Sequence, residues 1–144
     1  ARQYGLPPGL VKAVVWQESA FRAGVRGGHD EIGLMQLQPT TAQEWADARR
    51  DPHFEPEHLL DASTNLHAGC FYLSKLVKRY PRTDNPWAYA LADYNAGRGN
   101  VLRWMKGPAE PNSAAFLKTM NYPTTRAYIE SVLGRYPQYA TQLR

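Results

Sequence analysis

With 144 residues, 43% of them hydrophobic and 21% charged, the chain suits a single soluble domain with a buried core and no internal boundary, and excludes a disordered or low-complexity polypeptide. A formal net charge of +4 directs attention to anionic partners: a nucleic acid, a membrane surface or an acidic polymer such as a cell wall. The single cysteine, Cys70, excludes an intramolecular disulfide, and no run of about 18 apolar residues enters a membrane. The opening Ala1-Arg2-Gln3 carries no basic-then-apolar leader and reads as a chain whose targeting segment has been removed.

Pro7-Pro8 sets a helix start, and an apolar stripe follows from Leu10 to Phe21, with Gly24 as the expected stop. Residues 24–34 read as a Gly-rich loop. Pro39 with Thr41-x-x-Glu44 predicts a capping box and a helix to about Arg49, broken afterwards by Pro52 and Pro56. Asp61 or Ser63 caps a long helix in which Leu66, Cys70, Leu73, Leu76, Val77 and Tyr80 recur at helical spacing until Pro81. Cys70 is expected in its core. Asn85-Pro86 starts another helix, ending at Gly97, and Val101 to Met105 predict a further one closed by Gly107-Pro108. A polar loop near Pro111-Asn112 precedes a helix over Thr125–Leu133. Strict alternation is absent, so the expected class is all-α, with six to eight helices.

Three places carry chemistry. Glu18 continues the apolar stripe, with Val15 and Val14 three and four residues behind it. Two readings of it stand: a carboxyl desolvated on purpose, whose pKa is raised, or a residue at the helix end that turns outward to pair with Arg22. Gly33-Leu34-Met35-Gln36 reads as a tight turn whose backbone approaches something closely, or as an ordinary loop with a core Met. Tyr94 and Asn95 lie at a helix C-terminus, where a cap and a core Tyr would also suffice.

Taken in order, Glu18-Ser19-Ala20-Phe21, Gly33-Leu34-Met35-Gln36 and Ala92-Asp93-Tyr94-Asn95-Ala96-Gly97 resemble the soluble lytic transglycosylase (SLT) catalytic domain, a lysozyme-like all-α fold with a substrate cleft. Asn65-Leu66-His67-Ala68-Gly69-x-x-Tyr72-Leu73 and Tyr122-Pro123-x-Thr125-Arg126-x-Tyr128 extend the resemblance over nearly the whole chain. The resemblance implies that Glu18 is a single catalytic acid, then base, in non-hydrolytic cleavage between N-acetylmuramic acid and N-acetylglucosamine, leaving a 1,6-anhydro end. It implies that Gln36 and Asn95 hydrogen-bond the sugars, that Met35 and Tyr128 line the cleft, that Tyr94 contacts the catalytic carboxyl, and that Ser19 belongs to the substrate site. Ser19 also has a simpler role available, a bond to its own helix backbone. The pattern departs from the commonest family form at Gly27, where many members carry Ser, and at Asp30-Glu31.

Asp30 and Glu31 are candidates for a second carboxylate, which would activate water for hydrolysis as in goose-type lysozymes. The simpler expectation is that Glu31 pins its loop through backbone N–H groups or Arg26. A non-catalytic wall-binding domain is the other alternative, and the intact set of Glu18, Gln36, Tyr94 and Asn95 argues against it. No Lys/Arg block interleaved with aromatics supports a nucleic-acid module. The tryptophans Trp16, Trp45, Trp87 and Trp104 are expected mainly in the core. His29, His53, His58 and His67 form no metal-ligand pattern, so no cofactor or metal is expected. The expected partner is the peptidoglycan glycan strand, with no nucleic acid and no membrane insertion. The chain is expected to act as a monomer in the periplasm or cell envelope, with envelope machinery as a candidate partner.

Overall fold

In a computed structural model, which describes residues 1–143, the chain forms seven α-helices and three short 3-10 turns. The helices are α1 (Pro8–Ser19), α2 (Pro39–Ala48), α3 (Ala62–Val77), α4 (Pro86–Ala96), α5 (Arg98–Trp104), α6 (Ser113–Thr119) and α7 (Pro123–Gln142). The all-α expectation holds. Among the described residues the only extended pairing is a pair of isolated antiparallel bridges, Arg26 with Ile32 and Ile32 with Leu37. No helix among them is long and apolar enough to cross a membrane.

The chain divides into two compact units, residues 1–72 with 135–144, and residues 73–134. In the first, α1 starts at Pro8, whose missing N–H costs nothing at that position. Its buried stripe comprises Leu10, Val11, Ala13, Val14 and Val15, and each of the larger side chains contributes about 1.5–3 kcal/mol on burial. The end of α7 packs closely on it: a methyl group at Gly9 would lie 2.7 Å from the Ala140 backbone nitrogen. Lys12 donates to the Gln142 side chain at 2.9 Å and lies over the Tyr139 ring. Arg135 stacks on Trp16, its Cζ 3.1 Å from the ring centroid.

The second unit has an aromatic core. Tyr89 stacks on Phe116 at 4.2 Å between centroids and donates its hydroxyl to the Ala109 carbonyl at 2.9 Å. Trp104 meets Phe116 edge-on and donates Nε1–H to Asn121 at 2.9 Å. Arg126 gives Nε–H and Nη2–H to the carbonyls of Leu117 and Met120, and so satisfies the end of α6.

Several boundaries differ from those the sequence suggested. α1 stops at Ser19 rather than near Gly24, because Ala20 turns left-handed (φ 50°) and returns its N–H to the Trp16 carbonyl. α2 starts at Pro39, with Gln38 at the cap and no side-chain cap bond, so Thr41 lies inside the helix and is not its cap. Asp61, rather than Ser63, caps α3: its carboxylate accepts both the N–H and the hydroxyl of Thr64, which hold its pKa below the usual carboxylate value. α3 ends at Val77, short of Pro81, and α5 at Trp104, short of Gly107. The region read as a polar loop contains α6, capped by the Asn112 side chain accepting from the Ala115 N–H. Finally, α7 runs on to Gln142 through an internal Pro137, nine residues beyond Leu133. The contacts of Arg135, Tyr139 and Gln142 with α1 offset the hydrogen bond that a mid-helix proline removes.

Candidate active site

Glu18 is the penultimate residue of α1 and is half-buried. The residues three and four positions behind it on the same face, Val15 and Val14, are 5% and 0% exposed. The helix end is built to hold this position. Ser19 is buried and donates its hydroxyl back to the Val15 carbonyl at 3.1 Å, while Arg22 Nε–H donates to the Ser19 carbonyl at 3.2 Å. Ala20 and Phe21 then take consecutive left-handed conformations, with φ of 50° and 63°. For residues with a Cβ, each costs about 1–2 kcal/mol. Such strain persists only where the surroundings impose it.

The chain after α1 folds into a loop pinned at three levels. At its base, Gly33 N–H donates to the Val25 carbonyl at 2.8 Å, and Ile32 and Leu37 exchange backbone bonds at 2.9 and 3.1 Å. From below, the fully buried Asn65 of α3 accepts the Met35 N–H at 2.8 Å and donates to the carbonyls of Ile32 and Leu59 at 2.8 and 2.9 Å. Gly33, at φ 78°, has no room for a side chain, since a methyl group there would come within 2.5 Å of the Leu59 carbonyl oxygen. The Met35 side chain is fully buried against Gly69 of α3, where a methyl group would overlap its sulfur.

At the loop's upper end, Gln36 is left-handed (φ 49°), and its Nε2 donates to the carbonyls of Val25 and Gly33 at 3.0 and 2.9 Å. Those bonds orient the side-chain amide, with Oε1 on the side of Gly27. Gly27 N–H donates to the Glu31 carbonyl at 2.8 Å, which closes the tip over residues 27–31, and Asp30 sits exposed at φ 64°. Glu31 folds back over the tip: its Oε2 accepts the His29 N–H at 2.7 Å, and its Oε1 lies 3.6 Å from His29 Nδ1. The expected pinning through a backbone N–H is therefore present, with His29 rather than Arg26 as the neighbour. Gly27, Glu31, Gln38 and Thr40 contribute to the walls of a cavity of about 540 Å³ beside this loop.

In the second unit, α4 ends at Ala96 with Gly97 (φ 88°) at the cap. Asn95 is exposed and its Oδ1 accepts the hydroxyl of buried Thr125 at 2.7 Å, while Tyr94 is half-buried. Asp93, just before them, is 3% exposed and accepts from the Tyr80 hydroxyl at 2.5 Å and from Arg79 at 3.1 Å. Burial raises the Tyr80 phenol far above its ordinary value, and the hydrogen bond and charge of Asp93 add to the shift.

The expected site residues thus fall into two sets. Glu18, Ser19, Asp30, Glu31, Met35 and Gln36 belong to the first unit, and Tyr94, Asn95 and Tyr128 to the second. Three of them are buried rather than presented at a surface: Ser19 is 2% exposed, Met35 0% and Tyr128 5%. Ser19 spends its hydroxyl on α1 and Met35 its side chain on α3, so both support the site from behind. Trp45 and Trp104 are core residues, while Trp16 and Trp87 are half-buried. His67 accepts or donates through Nδ1 to the Tyr4 hydroxyl at 3.0 Å and stacks on Trp45, and His58 receives the Glu55 N–H. No group of three or more His, Cys, Asp or Glu able to hold a metal occurs among the described residues. Cys70 is buried, and burial raises its thiol pKa.

Two supporting residues, Asn65 and Asp93, are not singled out by the sequence. A polar residue three and four positions before Ala68 and Gly69 on a buried helical face is the signal that marks Asn65.

Comparison with known proteins identifies the family. The model of the transglycosylase SLT domain matches residues 1–117. The soluble lytic murein transglycosylase of Escherichia coli (strain K12) is 32% identical over 131 residues, covering 90% of this chain and 20% of that protein. The membrane-bound lytic murein transglycosylase C of Actinobacillus pleuropneumoniae (serotype 5b, strain L20) is 36% identical over 109 residues, 72% of this chain and 30% of its own length. An inactive glutamate-to-glutamine mutant of the lytic transglycosylase Slt from Pseudomonas aeruginosa superposes with a TM-score of 0.88 at 31% identity, over 99% of this chain and 23% of that one. The chain therefore spans about a fifth to a third of the length of these relatives. Its helices, its ordered motifs and this match over most of its length make the chain a member of the transglycosylase SLT domain family.

Proposed function

We propose that residues 1–144, both units together, are the catalytic domain of a lytic murein transglycosylase that acts on peptidoglycan in the cell envelope. The observation that carries this reading is the half-buried Glu18 at the strained end of α1, on the face that continues the buried stripe of Val14 and Val15. The relatives named as lytic murein transglycosylases support it, as does the inactivity of a Pseudomonas relative carrying a glutamate-to-glutamine change.

General acid catalysis at neutral pH needs a carboxyl that keeps its proton, and partial withdrawal from water acts in that direction. In the proposed reaction Glu18 protonates the glycosidic oxygen between N-acetylmuramic acid and N-acetylglucosamine as the bond from that oxygen to C1 breaks. The oxygen of the muramoyl 6-hydroxyl forms a new bond to the same C1, and its proton passes to the Glu18 carboxylate. No water is consumed, and the enzyme returns to its starting state. Within the first unit, Gln36 is the residue proposed to hydrogen-bond the sugars, and within the second, Tyr94 and Asn95 are the residues proposed to contribute polar groups to substrate binding. Ser19, Met35 and Tyr128 shape the surroundings from buried positions.

Digestion of purified peptidoglycan by the domain and by Glu18→Gln, with mass spectrometry of the released fragments, tests the reading. The expected result is fragments lighter by one water, ending in 1,6-anhydro-muramic acid and absent with the variant. Turnover retained by Glu18→Gln would remove Glu18 from the mechanism, and reducing ends would make the domain a hydrolase.

A further inference from the structure

The tip of the first unit's loop contains an unusual juxtaposition. A Cβ at Gly27 would lie 2.5 Å from Glu31 Oε2 and 2.8 Å from Gln36 Oε1, so the carboxylate and the amide oxygen together occupy the space that a side chain at position 27 would fill. Gln36 cannot relieve this by turning its amide over, because Nε2 is bonded to two carbonyls, those of Val25 and Gly33, which accept only. The Glu31 carboxylate is held by the His29 N–H on Oε2, and its backbone by the Gly27 N–H on the carbonyl. Two acceptor oxygens therefore share one small volume above a residue that has no side chain.

We propose that Glu31 is a positioning residue: its carboxylate takes the place of a side chain at position 27, closes the loop tip, and wedges Gln36 into the orientation it presents to substrate. This rests on the transglycosylase reading of the site. Gly27 and Glu31 form one unit, in which loss of the Glu31 side chain is tolerated only together with a side chain at position 27. The arrangement also bears on product chemistry. The bond from the His29 N–H and the packing on Gly27 give Glu31 a loop-holding role that needs no part in hydrolysis.

A set of substitutions in the whole chain separates these roles. Glu31→Gln keeps the shape of the side chain and an acceptor oxygen for the His29 N–H at the Oε2 position, with its NH₂ at the outer position beside His29 Nδ1. Its expected kcat/KM on peptidoglycan is within about twofold of the parent, the anhydro fraction of the product is unchanged, and thermal stability is close to the parent's. Glu31→Ala leaves the tip untied, and Gly27→Ser drives a side chain into the carboxylate. Each is expected to lower kcat/KM by at least about tenfold, as misplaced substrate-holding groups do. In Gly27→Ser/Glu31→Ala the space is refilled and much of the loss returns, so the two effects are strongly non-additive.

Stability and protection of the His29 amide from hydrogen exchange are read on the same variants without any substrate. They show the coupling even if the domain proves inactive on peptidoglycan, so failure of the loop proposal and failure of the catalytic reading are distinguishable. Glu31→Gln as damaging as Glu31→Ala would overturn the positioning role and point to carboxylate chemistry. Losses that simply multiply in the double variant, with no coupling in stability, would overturn the pairing of Gly27 with Glu31.

Discussion

Asn65 receives the backbone N–H of Met35 on its Oδ1 at 2.8 Å, and through this one bond α3 carries the turn that presents Gln36. The same amide donates to the carbonyls of Ile32 and Leu59, so one side chain satisfies three buried backbone groups. Asn65→Ala removes this partner from all three at a fully buried position, leaving the Ile32 carbonyl its bond from the Leu37 N–H. Each unsatisfied group costs about 1–3 kcal/mol, and with some relaxation a total loss of about 3 kcal/mol is expected. Urea unfolding measures it, and a loss below about 1 kcal/mol would show that the turn finds other partners.

Gly33→Ala tests the same anchor from the other side. The residue combines φ 78° with a methyl position 2.5 Å from the Leu59 carbonyl oxygen and overlapping the Asn65 amide. Left-handed strain of about 1–2 kcal/mol adds to an overpacking cost of about 1–3 kcal/mol, and neither neighbour can give way without breaking a hydrogen bond. The expected result is destabilisation with reduced hydrogen-exchange protection at the Met35 amide. Unchanged protection there would mean that the backbone accommodates the methyl group elsewhere.

In the second unit the buried carboxylate of Asp93 holds Tyr80 and Arg79 beside Tyr94. Breaking such a pair from one side leaves the other charge stranded, at about 3–5 kcal/mol for a deeply buried case. Arg79 is 26% exposed and water screens part of that cost, so Asp93→Ala is expected to lose about 3 kcal/mol. Asp93→Asn, which keeps an acceptor for the Tyr80 hydroxyl, loses less. Equal losses in the two variants would assign the effect to shape instead of charge.

Alkaline pH probes the same unit. Burial, with a smaller contribution from the charge of Asp84, pushes the Tyr89 phenol up to about 12, and burial with the Asp93 bond raises Tyr80 as well. Below the ordinary phenol pKa of about 10 both states keep their protons, so these groups impose no pH dependence there. Above it the unfolded chain releases protons that the folded chain retains. Stability is therefore full below about pH 10 and declines as pH rises toward and through the folded values. Denaturation midpoints measured across this range should fall, and Tyr89→Phe should flatten part of the decline. A midpoint independent of pH in both proteins would contradict the raised phenols.

The all-α class, the starts of α1 and α4 at their prolines, the stripe behind Glu18 and the cap at Gly97 are legible in the chain itself, because each depends on residues within one or two turns of each other. The position of Glu18 is legible for the same reason: a carboxyl on an apolar stripe is a local contradiction that can be seen without a fold. The early end of α1 at Ala20, the extension of α7 past Pro137, and α6 behind its Asn112 cap were settled by packing, which overrides weak local preferences. Packing also made Met35, Ser19 and Tyr128 buried supports and gave Asn65 its three bonds across up to 33 residues of sequence. Gly27 and Glu31 lie only four residues apart, yet the approach of the carboxylate to the glycine is visible only once the loop has folded. Side-chain direction in a loop is set by the groups that meet it, and those come together only when the chain has folded.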